Sequence, residues 1–338
     1  MRRHFALATS LGAAAAAVCY ATQLDPGHPP PPGVDTNVRV FHTPGSEHGG
    51  SPSLAYVPPG ARGAHPEHGT LLAFSGVTRL RRSSDNGDTW SGETDPTASL
   101  PFSGTWGGAQ TVYDPLRQTL FVLFGNTSRV QGGCVNGAVE LNGIKKLQST
   151  DAGATWYGFV DVESQLVREH VPVPAGGPGL LPGTCLGPTD GEALIMRPVN
   201  GKYGGRMVFC AVRNAYHGDV PVWSDDGGVT FNFSSGVYKP GLDECNIAQA
   251  ANGSLLLIAR NCDAGHLNTC QMRHQLPLST SGLGGSHMFA VSRSEDGGES
   301  WGPISHQPQL ITPVCPAELS AQQFIPSDQQ QCFATLLL

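Results

Sequence analysis

Four copies of one eight-residue phrase constrain this chain more than any other feature. The first is Ser83-Ser84-Asp85-Asn86-Gly87-Asp88-Thr89-Trp90. It returns as Ser149-Thr150-Asp151-Ala152-Gly153-Ala154-Thr155-Trp156, then as Ser224-Asp225-Asp226-Gly227-Gly228-Val229-Thr230-Phe231. The last copy is Ser294-Glu295-Asp296-Gly297-Gly298-Glu299-Ser300-Trp301. The frame is Ser-x-Asp-x-Gly-x-Thr/Ser-aromatic, and the Asp residues stand 66, 75 and 70 positions apart. A phrase recurring at a near-fixed step marks an array of like units. Asp can accept from backbone N–H groups one or two residues on and so close a turn. Gly supplies a backbone angle that a side chain would forbid. The Ser and Thr hydroxyls can satisfy the remaining polar groups, and the aromatic is the one large apolar group able to anchor the turn in a core. Each octad is therefore expected to be a hairpin turn between two strands. A calcium helix-loop-helix would need acidic residues at alternate positions over about twelve residues, and no copy has them.

The segments between octads supply the strands. Ser53 to Val57 and Gly69 to Ser75 precede the first octad, Thr111 to Tyr113 and Leu120 to Phe124 the second. Ala193 to Arg197 and Met207 to Val212 precede the third, Ser254 to Ala259 and Phe289 to Ser292 the fourth. Each is short, apolar or β-branched, and bounded by Gly, Pro, Asn or Asp. Forty-four glycines, 27 prolines and only 14 % charged residues fit many short strands joined by turns. The fold class expected is all-β, with groups of about four strands per repeat forming the blades of a β-propeller.

The ends of the chain differ from this middle. Met1 to Ala21 has Arg2 and Arg3, then an apolar run from Phe5 to Val18, then Cys19-Tyr20-Ala21, and reads as a secretory signal. Residues 22–36, with Pro26 and Pro29 to Pro32, read as a stiff linker. The propeller is expected over residues 37–320, and Ala321 to Leu338 as an atypical tail. No stretch after the signal is apolar enough to span a membrane, so a secreted product is expected. Eight cysteines then remain: Cys134, Cys185, Cys210, Cys245, Cys262, Cys270, Cys315 and Cys332. An even count in a secreted chain favours disulfides of undetermined connectivity. Asn126, Asn232 and Asn252 each open a glycan-acceptor triplet. A formal charge of -7 leaves no electrostatic footprint for nucleic acid.

One stretch can carry chemistry. Asp243 to Asn261 reads as strand, Asn252-Gly253 turn, strand. It puts Glu244 near the start of one strand and Arg260 near the end of the next, so an acid and a base reach one edge of one blade. The same spacing also suits a paired surface Glu and Arg. Cys262, His266, Cys270 and His274 recur every fourth residue and have zinc-ligand types, but Gly265 disfavours the helix that would align them, and disulfides are the competing use. His65-Pro66-Glu67-His68 is a loop by its proline and flanking glycines. No metal and no cofactor is expected.

The octad frame resembles the Asp-box of the sialidase (neuraminidase) family, whose complete propeller has six blades and whose boxes are structural. At the observed steps, residues 37–338 hold four to five blades, so the resemblance implies a sialidase-like β-propeller that ends before the ring closes. Gly69-Thr70-Leu71-Leu72-Ala73-Phe74 and Pro52-Ser53-Leu54-Ala55-Tyr56-Val57-Pro58 match the family's opening segment, and Gly176-Gly177-Pro178-Gly179 resembles a loop over its pocket. The stretch Glu244, Asn252-Gly253-Ser254-Leu255 and Ala259-Arg260-Asn261 is similar to the segment that carries a catalytic Glu and one of three arginines. The resemblance implies an exo-sialidase acting on sialylated glycans or glycoproteins. Arginines match a carboxylate in planar, bidentate fashion, and a neighbouring Glu activates a tyrosine nucleophile; Glu244 is the catalytic candidate and Arg260 the substrate-binding one. The chain departs from the pattern elsewhere. The first arginine position falls on Gly50, with Arg39 the nearest substitute upstream. The loop that holds the family's Asp acid is shortened to Ser75-Gly76-Val77-Thr78-Arg79 and holds no Asp. The segment with the third arginine and the tyrosine is absent after Pro313-Val314-Cys315. These departures imply the alternative of an inactive propeller that binds glycans or proteins.

Overall fold

The computed structural model describes residues 52–100, 106–126, 144–162, 186–189, 192–213, 219–234, 242–261, 288–311, 318–322 and 333–337. All its named elements are strands, grouped in chain order into five antiparallel sheets. The first sheet is β1 (Pro52–Val57), β2 (Thr70–Ser75) and β3 (Leu80–Ser83). The second is β4 (Trp106–Asp114), β5 (Thr119–Asn126), β6 (Ile144–Ser149) and β7 (Tyr157–Asp161). The third has β8 (Leu186–Pro188) and β9 (Leu194–Ile195) both pairing with β10 (Met207–Arg213), then β11 (Asp219–Ser224) and β12 (Asn232–Phe233). The fourth is β13 (Leu242–Gln249), β14 (Leu255–Asn261), β15 (Met288–Ser294) and β16 (Ser305–Ile311). The fifth is β17 (Glu318–Gln322) with β18 (Phe333–Leu337), so the tail contributes a strand. First strands of successive sheets touch: β1 meets β4, β4 meets β8 and β9, β9 meets β13, and β13 meets β17.

The core explains why the strands read as continuous apolar runs. Side chains alternate along a strand, and here both faces are covered. In β5, Leu120, Val122 and Phe124 join a core shared with Leu72, Phe74 and Val57 of the first sheet. The intervening Phe121 and Leu123 join a core shared with Met207, Phe209 and Val222 of the third. In β10 the pattern repeats one sheet further on: Val208 and Cys210 turn towards Leu255, Leu257 and Ile247 of the fourth. The first four sheets are thus held by their neighbours, and each fully buried Phe or Leu contributes about 1.5–3 kcal/mol.

The second, third and fourth octads join β6 to β7, β11 to β12 and β15 to β16, the third and fourth strands of the plan. The first leaves β3 and returns to a bridge between Leu80 and Thr94. The expected turn is present, but the Asp reaches further than one or two residues. Its Oδ1 accepts from the N–H four residues on, at 2.8–2.9 Å in all four copies. Its Oδ2 accepts from that residue's hydroxyl. The leading Ser hydroxyl donates to the same Asp at 2.7–2.8 Å and accepts from the Gly N–H two residues after the Asp. Two consecutive left-handed residues make this possible, with φ of 61° and 96° at Asn86 and Gly87, and 52° and 77° at Ala152 and Gly153. Phe231 and Trp301 are buried anchors, and Trp156 packs on the edge of the first core. Trp90 is half-buried and donates its indole N–H to Gly87 within its own turn.

Each later octad seats on the sheet before it. A Cβ on Gly153 would overlap Leu72 of β2, and one on Gly227 would overlap the Arg117 guanidinium from the β4–β5 turn. Lys146 of β6 donates its ammonium to the Gly228 carbonyl beneath the third octad, between the Phe121 and Phe231 rings. Burial lowers its pKa, against the opposing attraction of Asp226. Arg206 ties the third octad to the fourth. It grips Asp225 through two bonds of 2.6 and 2.7 Å, reaches Glu299 at 3.1 Å, and donates to the Gly297 carbonyl at 3.0 Å. Its guanidinium carbon lies 4.0 Å from the Trp223 ring centre. Burial opposes its charge, but Asp225 and then Glu299 outweigh that, and the pKa rises.

The octad carboxyls link this architecture to pH. Asp85 is held at about 2 by the Thr89 hydroxyl, the Thr89 N–H and the Ser83 hydroxyl. For Asp151, Asp226 and Asp296, burial pushes upward, but the same kinds of bond prevail and the net shift is downward. A carboxyl depressed on folding stabilises the fold above its unfolded value, about 4, and loses that contribution as pH falls through its folded value. Thermal melts should therefore weaken from about pH 4 towards about pH 2. Asp151→Asn should melt lower at neutral pH and show a shallower acid fall; an unchanged acid slope would count against this origin.

Candidate functional site

The candidate hairpin forms with the expected turn. Ala250 and Ser254 close it, with Ala250 N–H to the Ser254 carbonyl and Gly253 N–H to the Ala250 carbonyl, both 2.9 Å. Asn252 Oδ1 accepts from the Ser254 N–H and hydroxyl at 3.2 and 2.8 Å. Gly253 takes φ 91°, an angle unstrained only for glycine. From this turn the ladder runs Gln249 opposite Leu255 down to Asn246 opposite Ile258. It then skips, resuming with Asp243 opposite Arg260 and Leu242 opposite Asn261.

The skipped residues are Glu244 and Cys245, set against Ala259 alone. Two residues opposing one is a β-bulge, a device that re-aims a side chain. Glu244 is half-buried and has φ 51°, a left-handed backbone that costs a non-glycine about 1–2 kcal/mol. The structure thus places Glu244 in a bulge immediately beside the Asp243–Arg260 pair, at one end of the hairpin. Proximity along the backbone was legible in the sixteen-residue gap. The bulge was not read, although it leaves a trace: Leu242 and Cys245 are three residues apart, a spacing that a regular strand would split between its two faces, and both are buried in one core.

Three other elements fix this bulge, and of their residues the sequence offered only the cysteines, as disulfide candidates without a pairing. Cys245 forms a disulfide with Cys210 on β10, joining the third sheet to the fourth. Thr189, just after β8, donates its hydroxyl to the Cys245 carbonyl at 2.9 Å. Gln110 of β4 donates its amide to the Thr189 hydroxyl at 2.6 Å. Gln110 and Thr189 are 1 % and 2 % exposed, so these bonds face no competition from bulk water. Gln110 is a polar residue in a strand packed on both faces, the one trace the network leaves in the sequence.

The β2–β3 connection, where the resemblance would place an Asp acid, is a tight turn. Ser75 N–H donates to the Arg79 carbonyl at 2.9 Å, and Val77 is fully buried. Arg79 pairs with Glu93 through bonds of 2.8 and 3.0 Å. The turn holds no acid. His65-Pro66-Glu67-His68 is the expected loop, with His65 Nδ1 accepting from the Glu67 and His68 N–H groups. The signal, the linker, Arg39, Gly50, residues 176–179, the set Cys262, His266, Cys270 and His274, and the Arg260 side chain lie outside the described residues.

No family model matches the sequence, and no curated protein matches it. Solved structures do match. The Hadza microbial sialidase Hz136 is 20 % identical, with a TM-score of 0.54 over 81 % of this chain and 50 % of that one. A leech intramolecular trans-sialidase complexed with 2,7-anhydro-Neu5Ac is 14 % identical, with a TM-score of 0.54 over 82 % and 54 %. The intramolecular trans-sialidase of Ruminococcus gnavus in complex with oseltamivir carboxylate is 14 % identical, with a TM-score of 0.51 over 81 % and 74 %. The chain spans about half the length of the first two. At these identities the likeness shows a sialidase-like fold.

The disulfide closes a loop of 35 residues, and removing such a bridge typically costs about 2–4 kcal/mol. Urea unfolding of Cys210→Ala/Cys245→Ala should show a loss of about that size. Amides of Asp243 to Asn246 should exchange with deuterium faster. A variant as stable as the parent would show that the bridge holds nothing in place.

Proposed function

We propose that the chain is a secreted sialidase-type glycoside hydrolase that recognises terminal sialic acids on glycans or glycoproteins. The observation that carries this reading is Glu244, strained into a bulge beside Arg260 at one end of the β13–β14 hairpin, in a fold whose solved neighbours include sialidases. A left-handed carboxylic residue persists only where its surroundings over-determine it, and such positions cluster at functional sites. Arg260 supplies a planar guanidinium suited to the substrate carboxylate. Glu244 supplies a base that takes the proton from an attacking hydroxyl as that hydroxyl bonds to the anomeric carbon and the bond to the aglycone oxygen breaks, the departing oxygen taking a proton from water. A neutral hydroxyl avoids the repulsion that an anionic nucleophile would meet beside the substrate's own carboxylate.

One observation favours a second reading, recognition without cleavage. Departure of the aglycone needs a proton donor, and the β2–β3 turn carries no acid. Its Arg79 is bound to Glu93 instead.

A fluorogenic sialoside separates the two. Turnover by the parent, with a loss of about 100-fold or more in Glu244→Gln, is the expected result for the hydrolase. Saturable sialic acid binding without turnover supports the second reading. Neither turnover nor binding overturns both.

A further inference from the structure

Glu244 is clamped from both sides along the backbone. On one side Asp243 is fixed by its ladder pairing with Arg260. On the other, Cys245 is held twice: its sulfur is bonded to Cys210 of β10, and its carbonyl accepts from Thr189. A residue has only two soft backbone torsions. Fixing the residue before it, and both the side chain and the carbonyl of the residue after it, orients the peptides on either side and therefore sets where the Glu244 side chain starts from. The disulfide holds the Cys245 side chain, but rotation about the backbone could still swing the peptide that follows. The Thr189 hydroxyl stops that rotation.

The hydroxyl is itself directed. Thr189 has one proton, given to the Cys245 carbonyl, which leaves its oxygen lone pairs to accept a donation. Gln110 Nε2 supplies that donation at 2.6 Å. The path Gln110 to Thr189 to Cys245 crosses from the second sheet through the third to the fourth, and ends one residue from Glu244. We infer that Thr189, oriented by Gln110, is a positioning residue that sets the placement of the Glu244 carboxyl through the Cys245 carbonyl. This inference rests on the reading of Glu244 given under the proposed function. It adds residues on two other sheets that the reaction depends on without touching substrate.

The test follows the Glu244 side-chain carboxyl carbon by NMR across a pH titration, which needs no turnover. Thr189→Val keeps the side-chain volume and removes the hydroxyl. Its Glu244 titration midpoint should move by about half a pH unit or more, about a threefold change in proton affinity. Thr189→Ser, which keeps the hydroxyl, should restore the parent midpoint. Where turnover is measurable, Thr189→Val should lower kcat and leave KM near the parent value. A folded Thr189→Val protein with an unmoved midpoint overturns the inference and leaves Thr189 a packing residue; so does a Thr189→Ser protein that fails to restore it. Should Thr189→Val not fold, Gln110→Met removes the orienting donor and is read in the same way, an unmoved midpoint again overturning the inference. Equal turnover by the parent and Glu244→Gln would instead overturn the assignment of Glu244 as base, a separate result from the resonance.

Discussion

The structure depends on turns that serve as joints. An octad closes its own hairpin through Ser, Asp and Thr, but the same turn also bears on the sheet before it. Leu72 lies against Gly153, Arg117 against Gly227, and Lys146 under Gly228. Arg206 then binds the third octad and the fourth at once. The two adjacent left-handed residues of each turn matter for this reason. In the third and fourth octads they bring a backbone carbonyl to the neighbouring sheet, where a buried cation donates to it. A strand-to-strand turn of another type would close its hairpin and leave the sheets unconnected at this rim.

The joints act on one side of the sheets, while the strand cores act between them. β5 and β10 contribute alternate residues to two cores each. A sheet lost from the middle would expose both its neighbours. The polar path from Gln110 through Thr189 to Cys245 and the Cys210–Cys245 bridge link sheets away from the octads, as Arg206 does at them. Both kinds of link cross between sheets, and the polar path ends one residue from the strained Glu244. Fold and candidate site are therefore coupled: the bulge is stable because two other sheets hold it.

Much of the fold was legible because it repeats. Four octads gave four turns, and short apolar runs such as Leu120 to Phe124 and Met207 to Val212 gave strands within a residue or two of those observed. The hairpin around Asn252-Gly253 was legible for the same reason, since its turn chemistry is local. The reach of each Asp to the fourth residue on was less so, because it depends on the two left-handed residues between. Contacts between distant segments left no pattern. Gln110, Thr189 and Cys245 are separated by 79 and 56 residues, and no spacing rule joins them. The pairing of Cys210 with Cys245 out of eight candidates was unreadable for the same reason. The strand of the tail, Phe333–Leu337, pairs with β17.

Octads join sheets as well as strands, and Arg206 is the residue on which that joining most depends. Arg206 is 4 % exposed, while its partners Asp225 and Glu299 remain about half exposed, so the ion pairs alone are discounted for screening. The charge-assisted bond to the Gly297 carbonyl and the stacking on Trp223 and Tyr203 are not. Urea unfolding of Arg206→Met measures the joint directly. A loss of about 2–4 kcal/mol is predicted. Stability within about 0.5 kcal/mol of the parent would contradict the account and leave the octads as turns only.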